Sequence, residues 1–132
     1  MVESKYDRIM NVLENLYNSH EDIKACMVVR SGFEGVTMFP ENFVEEISDV
    51  WDPINKSLNE LLDIIAKYSI YEVDKSYIEI LNFGIFLCTI GMTDTALITF
   101  INLDDKTDSV ERVSQKMNDI LRARDEIVEI ES

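Results

Sequence analysis

The sequence is poor in basic residues and has a single histidine. Its 132 residues include 12 Lys and Arg against 26 Asp and Glu, so the formal net charge is −14. A surface with this charge repels phosphate backbones and anionic lipid headgroups, which makes nucleic acid and membrane surfaces poor partners. His20 stands in the polar segment NSHED, where we expect a solvent-exposed loop, and a Ser-His-Asp or Cys-His arrangement has no second histidine to draw on. We expect no catalytic residue, no metal site and no cofactor.

Cysteines and long apolar runs are also scarce. Cys26 and Cys88 lie inside apolar runs without zinc-ligand spacing, which is typical of small buried hydrophobes in a reducing compartment. No run approaches the roughly 18 residues of a membrane span, and the N-terminal MVESKYDRIM lacks the apolar block of a signal peptide. We therefore expect a cytoplasmic protein without membrane insertion, built as one domain over residues 1–132.

Hydrophobic periodicity predicts an α+β chain in the order helix-strand-strand-helix-strand-strand-strand-helix. Ser4 with Asp7 resembles a capping box that begins the first helix, and Asp108 begins the last. Short apolar runs bounded by turn residues predict strands at 25–29, 36–39, 76–81, 85–91 and 96–103. The turn between the first two strands contains Gly32 and Gly35, which lack the GK[ST] of a phosphate-binding loop.

The middle helical segment has an apolar period that runs from Phe43 straight through Pro53. Asp is a good N-cap and Pro is favoured at the first helical position, so Asp52 predicts a kink or restart, followed by a helix to about Lys67. The acidic residues at helical spacing here favour a solvated helix face over a loose cation site or a patch for a basic partner; they are Glu41, Glu45, Glu46, Asp49 and Asp52. Asp104, Asp105 and Asp108 lack the EF-hand pattern.

The strands differ in how much cover they need. Strands at 25–29, 85–90 and 96–101 are apolar on successive residues, so we expect them at the sheet centre, with 36–39 and 77–81 at the edges. Five strands span roughly 20 Å while one helix is about 10 Å wide, so each face needs two helices. If the first and last helices share one face, the middle helix leaves half of the other face bare.

A second copy is the simplest cover for that face, with the two middle helices side by side and the strand at 77–81 paired across a two-fold axis. The predicted dimer interface consists of Ile54, Leu58, Leu61, Leu62, Ile65, Tyr77, Ile78, Glu79, Ile80 and Leu81. In the alternative, a monomer folds residues 43–51 back as the missing fourth helix.

The element order, together with ACMVVRS leading into EGV, resembles the Roadblock family of dynein light chain type. The matching turn residues are Ser31, Glu34, Gly35 and Val36, and the chain departs from the family pattern by two extra residues at 32–33 and by a long middle segment interrupted at Pro53. The resemblance covers nearly the whole chain. It implies a profilin-like α/β fold, an α+β sandwich whose five-stranded, mostly antiparallel sheet has helices on both faces.

The same resemblance implies a homodimer, or a heterodimer with a paralogue, joined through the middle helix and third strand into a ten-stranded sheet. Roadblock proteins bind small Ras-like GTPases or motor complexes as scaffolds or regulators and have no active site of their own. A different interpretation is a small-ligand sensor, whose pocket would be walled by Phe86, Cys88, Phe100 and Trp51. Arg30 is the nearest candidate for an arginine finger, although a surface role suits it better.

Overall fold

The structure is a computed structural model that describes residues 4–30, 37–68, 74–90, 95–103 and 109–131. Its elements in chain order are α1 (Lys5–Ser19), β1 (Ile23–Arg30), β2 (Thr37–Phe39), α2 (Phe43–Glu46), α3 (Ser48–Lys67), β3 (Lys75–Ile80), β4 (Phe83–Thr89), β5 (Thr95–Asn102) and α4 (Ser109–Glu131). This order confirms the one predicted from hydrophobic periodicity. The predicted turn at 31–36 and the acidic residues 104–108 lie outside the described residues.

The five strands form one antiparallel sheet in the order β2-β1-β5-β4-β3. The three strands predicted to be central are central, and the two predicted edges are edges. Residues in β1, β4 and β5 are buried almost without interruption, because both faces of these strands are covered. The fold class predicted from the sequence is thereby confirmed.

Helices α1 and α4 share one face of the sheet, as expected. The side chain of Ser4 accepts a hydrogen bond from the Asp7 amide at 3.1 Å, which caps α1 at its first turn. Leu13 of α1 and Ile127 of α4 are fully buried, and they belong to one apolar cluster with Cys88 and other strand residues. The apolar sides of α1 and α4 therefore cover this face.

Three ion pairs join α4 to the sheet and to the start of β1. Arg112 Nη1 lies 2.9 Å from Glu79 Oε2, and Lys116 Nζ lies 2.8 Å from Asp22 Oδ2. Arg124 Nη1 lies 3.6 Å from Asp74 Oδ2, just before β3. The side chains of Arg112 and Lys116 are only 6% and 4% exposed, so their carboxylate partners offset a substantial desolvation cost.

The middle segment differs from the sequence prediction. α3 runs without interruption through Pro53, and the break falls earlier, at Ile47 between α2 and α3. Asp52 is therefore an exposed residue inside α3, and the predicted cap there is wrong. Pro53 lies in the second turn, where it removes one i→i−4 hydrogen bond. The position of the break allows α2 to place Phe43 against Phe100, with ring centroids 5.0 Å apart.

The expected shortage of cover on the α3 face is also wrong for the central strands. Met27, Ile98 and Phe100 face α3 and are fully buried within a single chain. Ala25 and Ala96 are also fully buried in this cluster, which α3 and the single turn of α2 cover. The monomer alternative holds in part, because Phe43–Glu46 form the separate short helix α2 with Phe43 buried, whereas residues 48–51 belong to α3. A single chain leaves its two edge strands, β2 and β3, incompletely covered, and β3 is the longer of the two.

Candidate interaction surface

The open edge of β3 is the first component of a candidate surface. β3 pairs with β4 along its whole length, and within the described residues it has no neighbour on its other side. The Thr89 amide donates to the Asp74 carbonyl at 2.8 Å, so these two residues form a hydrogen-bonded pair. Hydrogen-bonded and non-hydrogen-bonded residue pairs alternate along an antiparallel ladder. The backbone N–H and C=O groups of Lys75, Tyr77 and Glu79 therefore point away from β4. This row of N–H and C=O groups can accept another strand.

Tyr77, Glu79 and Arg112 form a cluster on the α4 side of this edge. The Tyr77 hydroxyl donates to Glu79 Oε2 at 2.6 Å, and Arg112 Nη1 donates to the same oxygen at 2.9 Å. Burial and the hydrogen bond to Glu79 raise the pKa of Tyr77 to about 12, so its hydroxyl remains a donor at neutral pH. The Tyr77 ring packs 4.7 Å from that of Phe86, and its hydroxyl lies over Gly84. The Tyr77 and Glu79 side chains are thus held in fixed positions beside the open edge.

The opposite side of β3 is apolar and less completely buried. Ile78 and Ile80 are half-buried against the α3 cluster. The two-residue turn from Ile80 to Phe83 begins with Leu81, whose φ is 56° and whose side chain is 62% exposed. A branched residue in the left-handed region is uncommon, and an exposed leucine there gains little from burial. This strand therefore presents apolar side chains to solvent at its edge and its tip.

The exposed flank of α3 is the second component. Ile64 and Tyr68 are each 49% exposed at its C-terminal end, beside the half-buried Leu61. The sequence interpretation missed Ile64 and Tyr68. Their position in the helical period indicates their exposure, since both fall outside the core stripe of Ile54, Leu58 and Ile65.

The ten predicted interface residues divide into three groups. Ile54, Leu58 and Ile65 are buried against their own sheet and hold α3 in place. Leu61, Leu62, Tyr77, Ile78 and Ile80 are half-buried, and Glu79 and Leu81 are exposed. The structure brings the β3 residues together along one open edge and the α3 residues along one helix. Their contact with a second copy stays a prediction.

His20 is not the solvent-exposed loop residue that the sequence indicated. It ends α1 and is half-buried, with Nε2 2.9 Å from Asp119 Oδ2 of α4. Arg122 also contacts Asp119, at 3.3 Å. The histidine thus links α1 to α4, and its carboxylate partner explains its position without a catalytic role.

The acidic residues near α2 form no cation site in the described part of the chain. Glu41, Glu45, Glu46, Asp49 and Asp52 are all exposed. Among the described residues, no three His, Cys, Asp or Glu side chains are grouped to hold a metal ion. These side chains give the N-terminal half of the α2–α3 segment a negative, solvated surface.

The pocket predicted for a small-ligand sensor does not form. Phe86 and Cys88 face α1 and α4, whereas Phe100 and Trp51 belong to the opposite face, so the sheet itself separates them. Alternation of side chains along each strand makes this separation unavoidable once the strands are paired. Burial raises the pKa of the Cys88 thiol to about 12, which leaves it almost entirely protonated and unreactive.

The topology and the open β3 edge define the class of fold, a profilin-like α+β sandwich. Comparison with solved structures gives its particular type. The chain resembles MglB of Myxococcus xanthus with a TM-score of 0.69 at 12% identity, over 98% of this chain and 92% of that one. It resembles a Roadblock/LC7 domain from Streptomyces avermitilis with a TM-score of 0.51 at 12% identity, over 86% and 92%. The fold is of the Roadblock type.

No protein-family model and no curated protein matches the sequence. Within the described residues, no helix is both long and apolar enough to cross a membrane.

Proposed function

We propose that the protein is a non-enzymatic homodimeric module that scaffolds or regulates a small Ras-like GTPase or a motor or signalling complex in the cytoplasm. The observation that carries the proposal is an open, rigidly held β3 edge in a Roadblock-type fold. In the family that the sequence resembles, this strand joins two copies into a ten-stranded sheet. The two copies would then present their α3 helices side by side as one platform.

The chemistry of α3 indicates what the platform would bind. Its C-terminal end exposes Ile64 and Tyr68, while Asp49 and Asp52 make its N-terminal end negative. An apolar patch bordered by charge is typical of a protein-binding surface. A partner with an apolar centre and basic surroundings fits this arrangement.

A regulatory role needs no catalytic group from this chain. Arg30 is exposed at the end of β1, where a surface role suits it better than insertion into another active site. Any effect on GTP hydrolysis would come from repositioning of the GTPase's own residues. The sensor alternative loses its main support because the four residues of its pocket lie on opposite faces of the sheet.

Light scattering on the purified protein tests the dimer directly. We expect a mass near twice the 15.3 kDa of the chain, persisting on dilution to low micromolar concentrations. A monomer throughout this range would contradict the proposal and leave the β3 edge without its expected partner.

Capture from a cell lysate tests the partner, with bound proteins scored for guanine nucleotide and identified by mass spectrometry. Ile64→Glu and Tyr68→Glu should abolish capture, since each places a charge in the exposed apolar patch of α3. Tyr6→Glu is the matched control, because Tyr6 is 52% exposed on α1 on the other side of the sheet. Equal loss of binding in all three variants, or capture only of proteins that bind no guanine nucleotide, would contradict the proposal.

A further inference from the structure

The β3 strand is self-complementary in one register. We propose that β3 pairs with β3 of a second copy so that the two-fold axis passes between the two Tyr77 residues. Lys75 of each copy then lies opposite Glu79 of the other. This inference rests on the proposed homodimer and adds to it a specific alignment of the strands and a pair of reciprocal ion contacts.

The hydrogen-bond pattern of β3 limits the possible registers. The outward-pointing backbone groups belong to Lys75, Tyr77 and Glu79, as the Asp74–Thr89 pair requires. Two antiparallel strands can bond only when outward-pointing residues face each other. An alignment that places an odd-numbered residue opposite an even-numbered one is therefore excluded, and the axis must pass through a residue position.

Four such positions lie inside the strand, and charge distinguishes them. An axis at Glu79 places the two Glu79 carboxylates directly opposite each other, which is unfavourable. An axis at Ser76 places Lys75 opposite Tyr77 and leaves Glu79 without a charged partner in the strand. An axis at Ile78 places Glu79 opposite Tyr77 and Lys75 opposite the exposed Leu81. Only an axis at Tyr77 places Lys75 opposite Glu79, and it does so twice because the contact is symmetric. Directly opposed unlike charges stabilise an antiparallel pair, while like charges destabilise it.

The side chains concerned are already positioned for these contacts. The two hydrogen bonds to Glu79, from Tyr77 and from Arg112, both go to Oε2. Lys75 is half-exposed and contacts only the neighbouring Asp74, at 3.2 Å, among the described residues. A two-fold axis perpendicular to the sheet keeps both sets of charges on the α4 side, where Glu79 is held.

Cysteine cross-linking determines the register. Under the proposal, Tyr77→Cys is oxidised to a covalent dimer, since paired Cα atoms about 5.5 Å apart allow a disulfide. Ser76→Cys and Ile78→Cys are matched controls that stay monomeric on denaturing gels when each is oxidised alone. An equimolar mixture of these two variants should cross-link, because Ser76 then lies opposite Ile78. The native cysteines are both buried and give little background.

Charge reversal provides a second test that does not depend on disulfide formation. Lys75→Glu replaces two attractive contacts with two repulsive ones, so we expect the dimer dissociation constant to rise by about tenfold or more at low salt. The effect should shrink in about 0.5 M salt, since these side chains are solvent-accessible. Lys24→Glu is the control, because Lys24 is exposed on β1, three strands from β3.

The outcomes separate the register from the dimer itself. A dimer by light scattering that self-cross-links through Ser76→Cys or Ile78→Cys would overturn the register and leave the proposed function standing. A dimer equally weakened by Lys75→Glu and Lys24→Glu would also overturn it. A protein that is monomeric and cross-links at none of the three positions would overturn both proposals.

Discussion

The buried ion pair between Lys116 and Asp22 allows a sharp test of how α4 is held. The side chain of Lys116 is 4% exposed and that of Asp22 is 29% exposed, at a separation of 2.8 Å. Asp22→Asn keeps the shape of the side chain but leaves a buried ammonium without its counter-charge. Lys116→Met removes the charge and keeps a similar apolar volume. The two substitutions break the same contact with different consequences.

The asymmetry in burial sets the expected magnitudes. Loss of one partner from a fully buried pair costs about 3–5 kcal/mol, and the partial exposure of Asp22 reduces this to about 2 kcal/mol for Asp22→Asn. Lys116→Met should change the free energy of unfolding by no more than about 1 kcal/mol, because replacement of a buried charge by an apolar group also removes its desolvation cost. In a chain of 132 residues, about 2 kcal/mol corresponds to a decrease in Tm of roughly 6–10 °C.

Urea denaturation at pH 7 and one fixed protein concentration measures these differences, with the m-value confirming that the same surface unfolds in each variant. The double variant Asp22→Asn with Lys116→Met should be close in stability to Lys116→Met alone, since the buried charge is then absent. A Lys116→Met variant that is less stable than Asp22→Asn would refute this reasoning. It would show that the Lys116 ammonium stabilises the fold by more than its desolvation costs.

The remaining predictions concern the core and the protonation of buried groups. Leu58→Ala should lower the free energy of unfolding by about 2–5 kcal/mol because Leu58 is fully buried, whereas Ile64→Ala at a half-exposed position should cost about 1 kcal/mol or less in the same urea assay. Gly84→Ala places a methyl group 2.5 Å from the Tyr77 hydroxyl and should cost about 1–3 kcal/mol; an unchanged midpoint would refute the close contact. The pKa of Cys88 rises from 9.0 to about 12 and that of Tyr77 from 10.0 to about 12, so the native state keeps protons that the unfolded chain releases. The free energy of unfolding should therefore have its full value below about pH 9 and fall between about pH 9 and pH 12. Urea denaturation at several pH values in this range measures it, and a free energy of unfolding that does not change with pH would contradict the prediction.

The sequence was sufficient to predict the sheet because its signals are local and strong. Apolar residues in unbroken succession identify β1, β4 and β5 as central strands, and the short or charged strands are the two edges. The Ser4 cap is equally local, since it depends on one side chain and an amide three residues away. Such features require no knowledge of what lies across the core.

The predictions that are wrong concern features that depend on tertiary packing. The break at Ile47 depends on Phe43 meeting the aromatic rings of β4 and β5, which no periodicity within residues 43–67 indicates. Helix and sheet widths alone underestimate the cover of the α3 face, because they take no account of how the side chains of α2 and α3 pack on the strands. The role of His20 likewise depends on Asp119, which is 99 residues away in the chain.

The sequence predicts the β3 edge of the candidate surface but not the buried contact that holds it. The β3 edge follows from strand length and one charge, so its residues could be named in advance. The buried partner of that charge, Arg112, could not, because a solvent-facing arginine gives the same sequence pattern as one that reaches across to Glu79.

The ion pairs of α4 fix its longitudinal alignment on the sheet. An amphipathic helix can in principle slide by one turn, about 5.4 Å, and still bury an apolar stripe. Here such a slip would separate Arg112 and Lys116 from their carboxylates and leave two cations in the interior. Homologous chains should therefore tolerate exchange among aliphatic residues along α4 while retaining paired charges at these two positions, and a redesign of this helix should start from them.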